Sequence, residues 1–296
     1  MSGAPGHLEK CERSLGAARS GLGAVAIEGV EFVDIDWGGR RVRIEHQWTA
    51  CERKGAPLII FLHEGLGSLA MWKDFPWRLC DAAKCRGLVY SRPGYGRSTP
   101  READEAWGLD FMHRQAEEVL PALLGALGID PAMHPPWLFG HSDGGSIALL
   151  YAASFPRQVA GAIVAAPHIL VEDLSVASIA AAKAAYLGTD LRTRLARYHD
   201  DPDSAFWGWN RIWLHPTFRE WSIEAEIGSI ACPLLAVQGL EDEYGTLEQI
   251  RGIARCVPQT ELVELVDCGH APHRDQPERL IDATAAFITK NTGDKP

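Results

Sequence analysis

The stretch Leu138-Phe139-Gly140-His141-Ser142-Asp143-Gly144-Gly145 constrains the fold of this chain more than any other. Residues 136–139 read as a short apolar strand that follows two strand-breaking prolines, and residues 146–154 as a helix of small and apolar side chains. Between them stands Gly-x-Ser-x-Gly, the spacing at which a strand turns directly into a helix with a serine at the apex. An apex residue on so tight a turn sits in strained backbone, and Gly140 and Gly144 remove the Cβ atoms that would collide there. The turn lifts the Ser142 hydroxyl above the sheet. The helix N-terminus directs unpaired N–H groups and a positive dipole end at the same point, which suits a developing oxyanion. The spacing alone arises by chance, so its weight comes from the strand before it and the small-residue helix after it.

The rest of the chain repeats that strand-to-helix step. Residues 24–37 and 41–48 have strand character and are separated by Gly38-Gly39, which reads as a hairpin. Residues 57–63 form a continuous apolar run, the mark of a strand buried on both faces. A helix is expected over 71–84 and a buried strand over 87–90. In the next helix Ala116, Val119, Leu120, Leu123 and Leu127 share one face, opposite Glu117 and Glu118. Beyond the elbow come strands at 159–166, 233–238 and 260–266 and helices at 247–256 and 277–288. Antiparallel strands leading into repeated strand–helix units imply an α/β fold with a mostly parallel sheet covered by helices on both faces.

One span interrupts the alternation. Residues 167–231 are helical in character and hold four of the ten tryptophans. Phe206, Trp209 and Trp213 recur at i, i+3 and i+7 on one helical face. Such rings either fill a small core of the insertion's own or roof a pocket where the insertion meets the main body. Trp207, Trp209 and Trp213 are the candidate substrate-binding side chains.

A serine at the apex needs a base, and the later strand ends supply the candidates. After strand 233–238 comes the acidic loop Gly239-Leu240-Glu241-Asp242-Glu243-Tyr244, and after strand 260–266 comes Asp267-Cys268-Gly269-His270-Ala271-Pro272. The order Ser, acid, His places each group just beyond the carboxyl end of a strand, where catalytic groups of such sheets gather. In this reading His270 takes the proton from Ser142, and Asp242 fixes the imidazole tautomer. Glu241 and Glu243 are rivals for the acid. Asp242 is favoured because it stands three residues after the strand-ending glycine. His273 lies past the proline and is the poorer base. For an oxyanion hole, one donor is the N–H of Asp143. The second is expected in the loop His63-Glu64-Gly65-Leu66-Gly67-Ser68, with Gly65 favoured.

Composition excludes more than it selects. A formal charge of −10 argues against nucleic-acid or anionic-membrane surfaces, and no run approaches the length of a membrane span. The seven cysteines show no close pairing and no secretory leader precedes them, which implies reduced thiols and a cytoplasmic protein. No metal or other cofactor is expected. The expected partner is a small-molecule substrate, and the oligomeric state is left open, a homodimer being one option.

With these motifs in hand, the chain resembles the α/β-hydrolase superfamily from about residue 24 onward. The matching segments are GHSDGG, HEGLGS, SRPGYGRS at 91–98, GLEDEYG and GHAPHRDQP at 269–277. The resemblance implies a flexible leader over 1–23, a core of 24–166 and 232–296, and a helical cap at 167–231. It also places the chain near the capped esterases and carbon–carbon bond hydrolases of bacterial aromatic catabolism. One departure is Glu64, where the family usually has glycine; its carboxylate either turns to a structural partner or enters the pocket. Relatives with an aspartate nucleophile are excluded, because an apex at Asp143 would need glycine at position 141, which is histidine. The expected activity is hydrolysis of a small, largely apolar ester, lactone or thioester through an acyl-enzyme. Cleavage of a carbon–carbon bond in a vinylogous diketone is the alternative. A non-catalytic receptor on the same fold is a further one.

Overall fold

The computed structural model describes residues 29–292. The expected leader and the start of the first expected strand lie outside them. Strand β1 (Val30–Trp37) and β2 (Arg40–Thr49) form an antiparallel hairpin. Its turn residues Gly38 and Gly39 both have positive φ, 60° and 75°, the mirror-image turn whose twist matches that of the strands. β2 then pairs antiparallel with β4 (Arg86–Tyr90). The remaining strands, β3 (Leu58–Leu62), β5 (Trp137–His141), β6 (Gly161–Ala165), β7 (Leu234–Gly239) and β8 (Thr260–Leu265), run parallel to their neighbours and to β4. The sheet order is β1-β2-β4-β3-β5-β6-β7-β8.

The uninterrupted Leu-Ile-Ile-Phe-Leu of β3 follows from burial on both faces. Leu58, Ile60 and Leu62 enter one hydrophobic core while Ile59 and Phe61 enter the other, so no position along the strand meets water. β3 also lies between β4 and β5, the point at which the winding of the sheet changes direction. Loops leaving β3 and β5 diverge at their carboxyl ends and leave a crevice between them.

Two expected helices differ in form, and a proline explains each difference. Over 71–84 the chain makes a 3-10 turn (Leu69–Trp72), breaks at Lys73 with φ 56°, and only then enters α1 (Phe75–Ala82). Pro76 fits a helix only in its first turn, so a helix over this span has to begin there. The amphipathic helix begins as α2 (Phe111–Arg114), widens into a π turn (Gln115–Val119) and continues as α3 (Leu120–Ala126). Pro121 cannot donate to the carbonyl four residues back, which is where the backbone widens. The expected apolar face is nevertheless buried, with Leu127 at its edge.

After β5 the chain turns into α4 (Asp143–Ser154), whose residues from Asp143 to Ala152 are all buried. Between β6 and β7 lies the helical segment: α5 (Asp173–Gly188), α6 (Leu191–Leu195), α7 (Pro202–Trp213), a 3-10 turn (Pro216–Glu220) and α8 (Glu224–Ile227). Asp201 caps α7 by accepting from the N–H groups of Asp203 and Ser204 at 3.0 and 2.9 Å, with Pro202 preset in the first turn. α5 is tied to the loop after β7, where Ser175 and Ser178 donate to the carbonyls of Tyr244 and Glu243. The chain ends with α9 (Glu248–Cys256), the short α10 (Pro272–Asp275) and α11 (Pro277–Thr292). Among the described residues no helix is long and apolar enough to cross a membrane.

Phe139 anchors the face of the sheet under α1, packing on Phe61, Trp72 and Phe75 at centroid distances of 5.6, 5.8 and 5.3 Å. Phe139→Ala is expected to destabilise the fold by about 3–5 kcal/mol, read from the urea midpoint at unchanged slope.

Candidate active site

At the β5–α4 turn Ser142 has φ 53° and ψ −121°, a conformation that side chains rarely adopt. The turn is held by the Ser142 N–H donating to the Ala165 carbonyl at 2.9 Å and by the Gly145 N–H returning to the Ser142 carbonyl at 2.8 Å. Both flanking glycines are required by space. A Cβ on Gly140 would stand 2.2 Å from the Gly144 carbonyl oxygen, and one on Gly144 would stand 2.0 Å from that of Leu62. α4 thereby starts in contact with the end of β3, and the serine is raised over the crevice.

The loop after β8 brings His270 to it. His270 Nε2 lies 2.9 Å from Ser142 Oγ, and His270 Nδ1 lies 2.8 Å from Asp242 Oδ1. Asp242 is itself fixed: Oδ1 accepts from the N–H groups of Tyr244 and Gly245 at 2.8 and 3.2 Å, and Oδ2 from Gln238 Nε2 at 3.2 Å. Burial alone would raise the Asp242 carboxyl, but the His270 charge and hydrogen bond and the Tyr244 N–H hold it below its ordinary value. The same pairing outweighs burial at His270 and raises the imidazole above 6.5. An ionised Asp242 accepts from Nδ1–H, which leaves Nε2 free to accept the serine proton. Of the rival acids, Glu241 is exposed, while Glu243 Oε2 accepts from the His270 backbone N–H at 3.2 Å. His273 is buried against Trp72, Phe75 and His141, where burial holds it well below 6.5.

The loop after β3 is positioned by two groups. His63 Nε2 accepts from the Arg92 N–H at 3.0 Å, so His63 carries its proton on Nδ1 and donates to the Glu64 carbonyl at 2.8 Å. Arg92 Nη2 donates to the same carbonyl at 2.8 Å, and the Gly67 N–H at 3.0 Å. In a trans peptide the C=O and N–H point in opposite directions, so three donors on the Glu64 carbonyl turn the Gly65 N–H away from Arg92. Gly65 and Asp143, the two expected donors, both line the cleft beside Ser142. Neither N–H has an acceptor among the described residues.

The Asp143 side chain makes a buried contact. Its Oδ1 accepts from Trp213 Nε1 at 3.2 Å, and its Oδ2 lies 3.9 Å from the fully buried Arg92 guanidinium. Burial raises this carboxyl to about 6, with Arg92 and Trp213 opposing. For Glu64 both expectations apply. Its carboxylate folds back over Gly67 toward His141 Nδ1 at 3.5 Å, and it still lines the cleft. Burial opposes ionisation there, but His141 and the charge of Arg274 hold the Glu64 carboxyl well below its ordinary value.

Trp209 and Trp213 line the cleft, and Trp209 comes so close to Gly65 that a Cβ there would stand 2.2 Å from its Nε1. Trp207 does not line it. On a helix, position 207 is rotated far from 209 and 213, and its ring packs edge-on against Tyr186 and Phe206. Phe206 stacks on Tyr186 at 3.7 Å and is buried in the core that the segment shares with the sheet. Sequence reasoning missed His168, whose ring lies between Trp213 and His270 and which burial pushes down to about 3. It also missed Met71, Ile179, Tyr244 and Arg274. Only Arg274 carried a signal, as an arginine four residues after His270. Among the described residues no group of three or more His, Cys, Asp or Glu side chains is placed to hold a metal ion.

In an NMR titration the His270 imidazole is expected to have its midpoint above 6.5, and Asp242→Asn to move that midpoint down. The linked stability has opposite signs at the two groups. The His270 contribution is full below pH 6.5 and lost as pH rises through its raised value. The Asp242 contribution is present above 3.8 and lost as pH falls through its lowered value.

Residues 59–283 match the profile of the alpha/beta hydrolase family. No curated protein sequence matches the chain. Among similar solved structures is a thermophilic esterase from Thermogutta terrifontis, at TM-score 0.67 and 19% identity, covering 88% of this chain and 98% of that one. A putative aryl esterase from Burkholderia cenocepacia has TM-score 0.65 and 22% identity over 88% and 98%. A proline iminopeptidase from Mycobacterium smegmatis has TM-score 0.66 and 16% identity over the same shares, 88% and 98%. At these identities the likeness is one of fold, and it does not select a substrate. The sheet, the elbow and the profile match over most of the chain agree: this chain belongs to the alpha/beta hydrolase family and is a hydrolase.

Proposed function

We propose that Ser142, His270 and Asp242 form a catalytic triad that hydrolyses a small carboxylic ester, lactone or thioester through an acyl-enzyme. The observation that carries this reading is the unbroken relay from Ser142 Oγ to His270 Nε2 at 2.9 Å and from His270 Nδ1 to Asp242 Oδ1 at 2.8 Å. His270 removes the hydroxyl proton as Oγ attacks the acyl carbon, and the ionised Asp242 stabilises the imidazolium that results. The N–H groups of Gly65 and Asp143 receive the oxyanion. Collapse breaks the bond to the leaving alcohol or thiol, which takes the proton from His270. Water then gives its proton to His270 as it attacks the acyl carbon; the bond to Ser142 Oγ breaks, Oγ takes that proton back from His270, and the acid is released. Names of similar structures that include esterases support the choice of ester.

Ser142→Ala is expected to lose roughly 10⁴ to 10⁶ in turnover while remaining folded. A fluorophosphonate should label the wild type at Ser142 and leave the variant unlabelled. Labelling of another serine, or activity surviving in the variant, would overturn the mechanism.

The helical segment 167–231 acts in this proposal as a cap that selects the substrate. Trp209 is its test, because it walls the cleft and has no hydrogen bond to the elbow, unlike Trp213. Trp209→Ala should weaken kcat/KM for a bulky acyl ester by about 1–3 kcal/mol and for a short activated ester much less. Equal losses for both in a folded variant would remove the specificity role.

A further inference from the structure

The charges around the cleft do not balance contact by contact. Asp242 faces His270, Asp143 faces Trp213 and Arg92, and Glu64 lies 3.5 Å from His141 Nδ1. Glu243 accepts from the His270 N–H, and Asp275 accepts from the Gly269 N–H at 2.9 Å. Arg274 is left over. It sits on α10, four residues beyond His270, and is the one lysine or arginine among the described residues that lines the cleft with Ser142. Its Nε is shut off from solvent and has no hydrogen-bond partner. No described carboxylate stands within ion-pair distance of its guanidinium, although Glu64 and His273 lie near enough to feel its charge.

A guanidinium presents its donors as a rigid fork, and the group that matches the fork is a planar carboxylate bound through both oxygens. The other walls of the cleft include Leu66, Met71, Ile179 and Trp209. The pocket thus offers apolar contact to a carbon chain and, lining the space that also holds the nucleophile, a guanidinium whose Nη donors have no partner among the described residues.

Resting on the hydrolase reading above, we infer that the substrate carries a free carboxylate, held by Arg274 while Ser142 attacks the ester bond of the same molecule. The substrate class is therefore the half-ester of a dicarboxylic acid or the acyl ester of a hydroxy acid. Its ionised end accepts from the two Nη groups of Arg274, the Nε being closed to solvent, and its ester end lies over the elbow. Glu64 is a repulsive neighbour for such a ligand, and the charge of Arg274, which Glu64 also feels, has to outweigh it. Arg274 is a specificity residue: it touches the substrate away from the reacting atoms.

Two substrate pairs test this and distinguish where the carboxylate lies. Monomethyl glutarate against methyl valerate places it in the acyl half. Acetoxyacetate against propyl acetate places it in the alcohol half. In the wild type kcat/KM should favour the acidic member of one pair by about tenfold or more, the scale of a charged hydrogen-bond pair. Arg274→Met should lower that acidic-to-neutral ratio by about the same factor, mainly through KM, and Arg274→Lys, which keeps the charge without the fork, should recover part of it. A ratio near one for both pairs in the wild type, or a ratio that Arg274→Met and Arg274→Lys leave unchanged, overturns the inference.

Calorimetric binding of monomethyl glutarate and acetoxyacetate to Ser142→Ala separates the two levels of the reading. Neutral esters turned over with no acidic preference would sink the carboxylate and leave the hydrolase. No ester turned over, with an acidic ester still bound through Arg274, would sink the ester reaction and leave the anion site.

Discussion

The first turn of α4 rests against the carboxyl end of β3, and the rest of the site is built on that contact. The backbone of Gly144 lies so near the Leu62 carbonyl that no side chain fits between them. This proximity holds the elbow over the point where the winding of the sheet reverses, where the loops after β3 and β5 open a crevice. It sets Ser142 in a strained conformation that a free peptide would relax. The surrounding sheet maintains it through the Ser142 N–H bond to Ala165 and through the burial of α4 along most of its length.

From that fixed point the electrostatics extend in two directions. Toward the late strands, Gln238 and the N–H groups of Tyr244 and Gly245 orient Asp242, and Asp242 orients His270. Toward the early strands, Arg92 is the shared element. It is fully buried, donates to the Glu64 carbonyl and approaches Asp143, so one side chain braces both the loop carrying Gly65 and the residue after Ser142. Two of its nitrogens and Asp143 Oδ2 remain without hydrogen bonds. The desolvation of such a buried pair can outweigh its attraction, so it is no evidence of stabilisation by itself. Its effect is to hold two loops in one register. Trp213 extends the same network into the helical segment, so α7 and the elbow share a hydrogen bond as well as a surface.

Much of this is legible from residue order, because the determining signals are local. The elbow is specified by Gly140 and Gly144, the hairpin by Gly38 and Gly39, and the doubly buried β3 by its unbroken apolar run. The candidate groups at 142, 242 and 270 could be named because each follows directly on a strand end, and a parallel sheet aligns such ends on one side. Prolines are legible too, but apolar periodicity does not register them. Pro76 and Pro121 break or widen helices that apolar periodicity alone runs straight through.

What only the tertiary structure decided concerns side chains brought together from distant segments. Periodicity put Trp209 and Trp213 on one face of a helix, but it could not say that the face meets Gly65 and Asp143, or that Trp207 turns to Tyr186 instead. The positions of His168 between two rings of the site, of Arg92 beneath the loop after β3 and of Arg274 in the cleft depend on packing between elements far apart in the chain. Sequence determined the strand ends, the order of the chemical groups and the turn that strains the serine, since these follow from backbone sterics within a few residues. Tertiary packing decided which charges meet and which is left open, because burial and Coulomb interactions depend on distance in space and not along the chain.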